Sequence, residues 1–85
     1  MTQYSIVFAP KAKKQIDRLP QKIKIRIANA LDELSYDPYL GKMLKAELKG
    51  LYSYRVGDYR IIYDILRYRI VIEVIKVMHR REAYR

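Results

Sequence analysis

The spacing of apolar residues divides the chain into stretches of different period. Tyr4, Ile6 and Phe8 alternate with Ser5 and Val7, which predicts a short opening strand. Ala9-Pro10 ends it, and Pro10 suits the first helical position, where its missing N–H costs little. Ala12, Ile16 and Leu19 then share one helical face, with Lys11, Lys13, Lys14 and Arg18 largely around the rest. Leu19-Pro20 breaks this helix and Pro20 opens another. Ile23, Ile27, Ala30, Leu31 and Leu34 recur at helical spacing until Asp37-Pro38 and Gly41 stop the pattern. The two segments read as a helical hairpin.

Residues 42–50 form a lysine-bearing connection with Lys42, Lys45, Lys49 and Gly50. From Leu51 the period changes again. Leu51 to Val56, Tyr59 to Leu66 and Arg69 to Val77 are rich in Tyr, Ile and Val and read as strands. Gly57-Asp58 is a two-residue turn between the first pair, because Gly tolerates positive φ. Arg67-Tyr68 is a weaker turn signal, so a longer or irregular connection is expected there. The polar stretch from Met78 to Arg85 reads as a helical turn. Strand, two helices and a three-strand meander give an α+β fold, with the helical hairpin on one face of a mostly antiparallel sheet and the other face free.

Strand parity then places the charges. Tyr52, Tyr54 and Val56 share one face of their strand, and Ser53 and Arg55 the other. Ile61, Tyr63 and Ile65 form the core set of the next strand, which leaves Arg60 opposite. A turn at Gly57-Asp58 pairs Val56 with Tyr59 and Arg55 with Arg60. Arginines side by side repel unless an anion lies between them, so either a phosphate belongs there or the two splay into solvent.

Composition narrows the partner. The chain has 85 residues, enough for one domain spanning 1–85, and 51% of them are apolar, enough for a core. Lys and Arg number 18 against 9 Asp and Glu, a net charge of +9. Such an excess opposes compaction in a small domain and attracts polyanions, nucleic acid first, an acidic protein second and an anionic membrane third, with a plain solubility surface as the other reading. Cysteine is absent, which excludes disulfides and thiolate metal sites, and the one histidine, His79, cannot hold zinc alone. No metal site and no cofactor are expected. No apolar run reaches a membrane span, and Met1 to Pro10 lacks the pattern of a signal peptide, so a cytoplasmic location is expected.

The terminal stretch His79-Arg80-Arg81-Glu82-Ala83-Tyr84-Arg85 is dense in hydrogen-bond donors. Arginine matches phosphate oxygens in pairs, and Tyr84 can stack on a base, but a solvated chain end has the same composition. His79 is the only side chain that ordinarily titrates near neutrality; a general base, an RNA contact and a structural role all stay open. Asp64 and Glu73 lie in predicted strands, where they can pair with arginines.

Three stretches carry a family resemblance: Phe8-Ala9-Pro10-Lys11-Ala12, the run from Leu48 through Gly57-Asp58-Tyr59-Arg60 to Tyr63, and His79-Arg80-Arg81-Glu82-Ala83-Tyr84. Together with the order of elements they resemble the RelE/ParE superfamily of toxin–antitoxin toxins over nearly the whole chain, and the last stretch is closer to the RelE branch. The resemblance implies a small sheet with a helical hairpin on one face. It implies a ribosome-dependent, metal-independent cut of messenger RNA by attack of a ribose 2′-hydroxyl on the adjacent phosphate. It also implies an acidic, partly disordered antitoxin partner in a hetero-oligomer.

Carried onto this chain, Arg60 would hold the scissile phosphate and its developing charge. Arg80 would take a similar or leaving-group role, Tyr84 would orient the substrate base, and Arg55 would be the basic residue of the first meander strand. Lys45, Lys49, His79, Arg81 and Arg85 are the further RNA contacts expected. Ser53 departs from the pattern, since some members carry a lysine or arginine there. The base is therefore unassigned, and arginine is a poor one because its pKa exceeds about 12. Positioning and charge stabilisation can then carry catalysis, with His79 as the remaining candidate base. Two other functions fit the same features: a ParE-like, non-enzymatic inhibitor of gyrase, and an RNA-binding domain without catalysis.

Overall fold

A computed structural model describes residues 2–83. The elements are β1 (Ser5–Phe8), α1 (Pro10–Asp17), α2 (Gln21–Tyr36), β2 (Lys42–Met43), β3 (Tyr52–Val56), β4 (Tyr59–Leu66), β5 (Val71–His79) and α3 (Arg80–Ala83). The strands form one sheet in the order β1-β5-β4-β3-β2. β1 runs parallel to β5, and the other neighbours are antiparallel. This is the expected α+β architecture, with the helical hairpin on one face.

Local chemistry explains the helix boundaries. Pro10 occupies the first turn of α1 after an extended Ala9, as its fixed φ favours. Pro20 stands extended before α2, so the two helices cannot merge. The helical stripe read from the sequence is the buried one: Ala12, Ile27, Ala30, Leu31 and Leu34 pack against Ile61, Tyr63, Ile72, Val74 and Val77. Each fully buried Ile, Leu or Val side chain contributes about 1.5–3 kcal/mol. Tyr63 anchors the sheet to the loop after α2: its hydroxyl donates to the Pro38 carbonyl at 2.7 Å and accepts from the Gly41 N–H at 3.1 Å. A side chain at Gly41 would collide with that hydroxyl, so glycine is required by close approach.

Three features differ from the sequence expectation. The connection 42–50 contributes a fifth strand, because β2 pairs Lys42 with Ser53 and Met43 with Tyr52. A strand of 2 residues has no periodicity to read. The last strand begins at Val71 rather than Arg69 and continues to His79. Residues 67–70 form the turn, closed by Arg69 N–H to Leu66 O at 3.1 Å and Ile70 N–H to Arg67 O at 3.2 Å. Ile70 takes φ 55, strained for a β-branched residue, while its carbonyl accepts the Ser5 N–H from β1. The third feature is a bulge in β5. Ile62 pairs with Lys76 but Tyr63 with Val74, so Ile75 is an extra residue. The inserted residue flips the parity, and Ile72, Val74 and Val77 all reach the core despite their mixed numbering.

Candidate nucleic-acid interface

The sheet face opposite α1 and α2 carries the arginines. Arg55 and Arg60 are direct partners across the β3–β4 hairpin, and Val56 pairs with Tyr59, the register that the Gly57-Asp58 turn predicts. Gly57 adopts φ +60, as the tight turn demands. The start of α3 folds back onto this turn: the Arg80 N–H donates to the Asp58 carbonyl at 2.6 Å. The Arg80 guanidinium also lies 3.7 Å from the Asp58 carboxylate. Residues 55–60 and 80 thereby come together although 20 positions of chain separate the segments.

They enclose a cleft of about 130 Å³ lined by Arg55, Gly57, Asp58, Tyr59, Arg60 and Arg80. Arg55, Arg60 and Arg80 against Asp58 leave an excess of two positive charges there. Arg55 Nε donates to the Gly57 carbonyl at 3.1 Å, which holds the guanidinium over the turn with its terminal N–H groups still to be used. The Arg80–Asp58 pair is solvent-exposed, 63% and 60%, so it adds at most about 1 kcal/mol of stability. Its consequence is on charge, because the carboxylate offsets part of the positive excess in the cleft, while the main-chain bond holds Arg80 beside the other two. Converging guanidinium forks of this kind suit a phosphate or carboxylate of matching size.

The remaining expected contacts are more scattered. Arg81 follows Arg80 on α3 and is exposed. His79 pairs with Tyr59, on the helix side of the sheet, whereas Arg60 pairs with Met78 on the bare side. The His79 and Tyr59 rings meet edge-on at 5.0 Å, and His79 Nδ1 accepts the Arg81 N–H at 3.2 Å. His79 is not itself a lining residue of the cleft; its ring touches Tyr59, which is, and it acts on the first turn of α3. Lys45 and Lys49 are exposed and flank the turn at 46–48, at the end of β3 remote from Gly57. Tyr84 and Arg85 lie outside the described residues. Asp64 and Glu73 pair with each other across β4 and β5, and neither has an ion-pair partner among the described residues.

Sequence reading missed Arg26. Its guanidinium lies so close to Gly57 that a side-chain carbon there would sit 2.9 Å from it. Arg26 also lines the groove between α2 and β3 with Glu33, Tyr54 and Arg55. Nothing in the sequence marks Arg26, since only tertiary packing brings the polar side of α2 to the hairpin turn. Within that groove the Tyr54 hydroxyl donates to Glu33 Oε2 at 3.5 Å. Burial, with the nearby Glu33 charge, raises the Tyr54 pKa.

Comparison with known proteins agrees with this geometry. Residues 6–84 match the family described as ParE toxin of type II toxin-antitoxin system, parDE. Toxin RelG of Mycobacterium tuberculosis is 33% identical over 84 residues, covering 96% of this chain and 97% of that protein. Toxin RelE of the same organism is 35% identical over 88 residues, covering 96% and 87%. The toxin–antitoxin complex RelBE2 of M. tuberculosis contains a chain that superposes with a TM-score of 0.87 at 31% identity, covering 93% of each. Among the described residues no helix is long and apolar enough to cross a membrane. With its sheet order, helical hairpin and sequence all matched over nearly their full length, the chain belongs to the RelE/ParE superfamily of toxins of type II toxin–antitoxin systems.

Proposed function

We propose that this toxin is a ribosome-dependent messenger RNA endoribonuclease that stops translation in the cytoplasm. The observation that carries the reading is the cluster of Arg55, Arg60 and Arg80 around one small cleft on the face left bare by the helices. A phosphodiester seated there places its non-bridging oxygens among the guanidinium groups. These would stabilise the charge that builds as the ribose 2′-oxygen bonds to phosphorus and the P–O5′ bond breaks. Arg60 and Arg55 would hold the phosphate, and Arg80 the leaving oxygen. Tyr84 would orient the neighbouring base. The 2′-hydroxyl proton passes to a base that this chain does not name, and alignment within the ribosome would supply much of the rate.

The partner reading follows from charge and family. RelBE2 of M. tuberculosis is a complex of toxin with antitoxin. A net charge of +9 would favour an acidic antitoxin, held with this chain in a hetero-oligomer. In a translation extract, purified toxin should create new message ends by primer extension, and Arg60→Ala should abolish them. Intact messages, in an extract where another RelE-type toxin cuts, would refute the reading.

A second reading has one observation in its favour, the match to a family described by its ParE members. A gyrase inhibitor would need the basic scaffold but no catalytic arginine. Arg60→Ala would then leave toxicity and inhibition of supercoiling intact.

A further inference from the structure

One step along the strands from the arginine cleft, the bare face carries a second cationic row. Lys42, Ser53, Ile62 and Lys76 pair in register through β2, β3, β4 and β5. Ser53 keeps 9% of its accessible surface and Ile62 2%, although α1 and α2 pack on the opposite face. Such burial follows when flanking side chains lay their methylene stems across the sheet, and the flanking side chains here are Lys42, Lys76, Arg55 and Arg60. Among the described residues neither lysine has a carboxylate within ion-pair distance. Asp64 and Glu73 occupy the next row and bound the basic zone on that side.

We propose that this row is a second phosphate subsite, which takes the phosphodiester adjacent to the one held by Arg55, Arg60 and Arg80. The two rows are two residues apart along β3 and β4, a separation of about 6.7 Å. That spacing is comparable to the distance between consecutive phosphates in a single strand. Lys42 and Lys76 are three strand spacings apart, about 14 Å between main chains. Two lysine side chains leaning inward leave room for one phosphate above Ser53, whose hydroxyl donates to it from the sheet. The floor beneath is Ser53 and Ile62, small and apolar, so the anion lies in a partly desolvated trough where each charge acts more strongly. Two such steps hold two points of the backbone and set the direction in which the strand crosses the sheet.

This subsite rests on the reading of the arginine cleft as an RNA site, and the test separates the two. The full chain is titrated with a short single-stranded 2′-O-methyl RNA, which can bind but cannot be cut. Affinity is measured by fluorescence anisotropy over a range of salt. The double variant Lys42→Gln, Lys76→Gln should lower the slope of log affinity against log salt by about 0.7, the share of one phosphate on a single strand. Lys11→Gln on α1 should leave the slope unchanged. Amide resonances of Ser53 and Lys76 should shift on titration together with those of Arg55 and Arg60. Melting temperatures of the variants check that the fold is kept. An unchanged slope, shifts confined to the arginine cleft, or no binding by the native chain would overturn the subsite. Cutting in a translation extract is scored separately. Two-row binding without any cut keeps the subsite and removes the nuclease reading. Full cutting by the double variant with an unchanged slope does the reverse.

Discussion

Arg80 donates its main-chain N–H to the carbonyl oxygen of Asp58 at 2.6 Å, and this one bond ties the beginning of α3 to the β3–β4 turn. Through it the last arginine joins two others that a hairpin has already paired. The side-chain pair between the same residues is longer, 3.7 Å, and exposed. The main-chain bond therefore sets the geometry, and the carboxylate trims the charge of the cleft.

Asp58→Asn follows from that division. Stability should change by less than about 1 kcal/mol, because an exposed ion pair is lost while the backbone bond stays. Affinity for single-stranded RNA should rise, since the cleft loses its negative charge. Thermal melting and a binding titration check both. Weaker binding would mean that the carboxylate, and not the main chain, positions Arg80.

Arg60→Ala removes a guanidinium from beside Arg55. The fold should persist, because the core that holds the sheet lies on its other face. Message cutting should fall by about 10²- to 10³-fold, the usual effect of removing one donor to developing charge. Primer extension and calorimetry on the same preparation test whether function and stability separate in this way.

Gly57→Ala acts in two ways at once. The residue sits at φ +60, where a side chain costs about 1–2 kcal/mol. The added carbon would also press on Arg26. Combining it with Arg26→Ala should recover part of the loss but not the φ penalty. Equal melting temperatures for the single and double variants would show that Arg26 yields without cost.

Alkaline unfolding should report Tyr63. Burial pushes its hydroxyl pKa up from 10.0 to about 12. The folded state therefore keeps its proton where the unfolded chain loses it. The associated stability is fully present below pH 10 and is lost as pH rises through about 12. Tyr63→Phe should flatten stability in that window, as read by denaturant midpoints. It should also cost about 1–3 kcal/mol at neutral pH, because Pro38 O and Gly41 N–H lose their partner.

His79→Ala should disturb the first turn of α3, where its ring accepts the Arg81 N–H. A loss of about 0.5–2 kcal/mol is expected for a cap of this kind. The pH dependence of cutting between pH 5 and 8 should be unaltered, because His79 does not line the arginine cleft. Loss of pH dependence in that range on substitution would assign the base to His79.

The sequence alone determined what depends on local period and local sterics. Pro10 and Pro20 set where the helices begin, and the stripe from Ile27 to Leu34 told which helical face is buried. Gly57-Asp58 set the hairpin register, and with it the pairing of Arg55 and Arg60. Tertiary structure decided what depends on segments meeting. β2 forms only because β3 offers it an edge, and two residues carry no pattern. The bulge at Ile75 shifts the parity of β5, so counting alternate residues could not tell that Val77 is core and Lys76 faces the other way. Arg26 reaches Gly57, and His79 meets Tyr59, through packing that no local propensity encodes. Period and turn chemistry act over a few neighbours and can be read along the chain, whereas a site assembled from distant strands exists only once the sheet has closed.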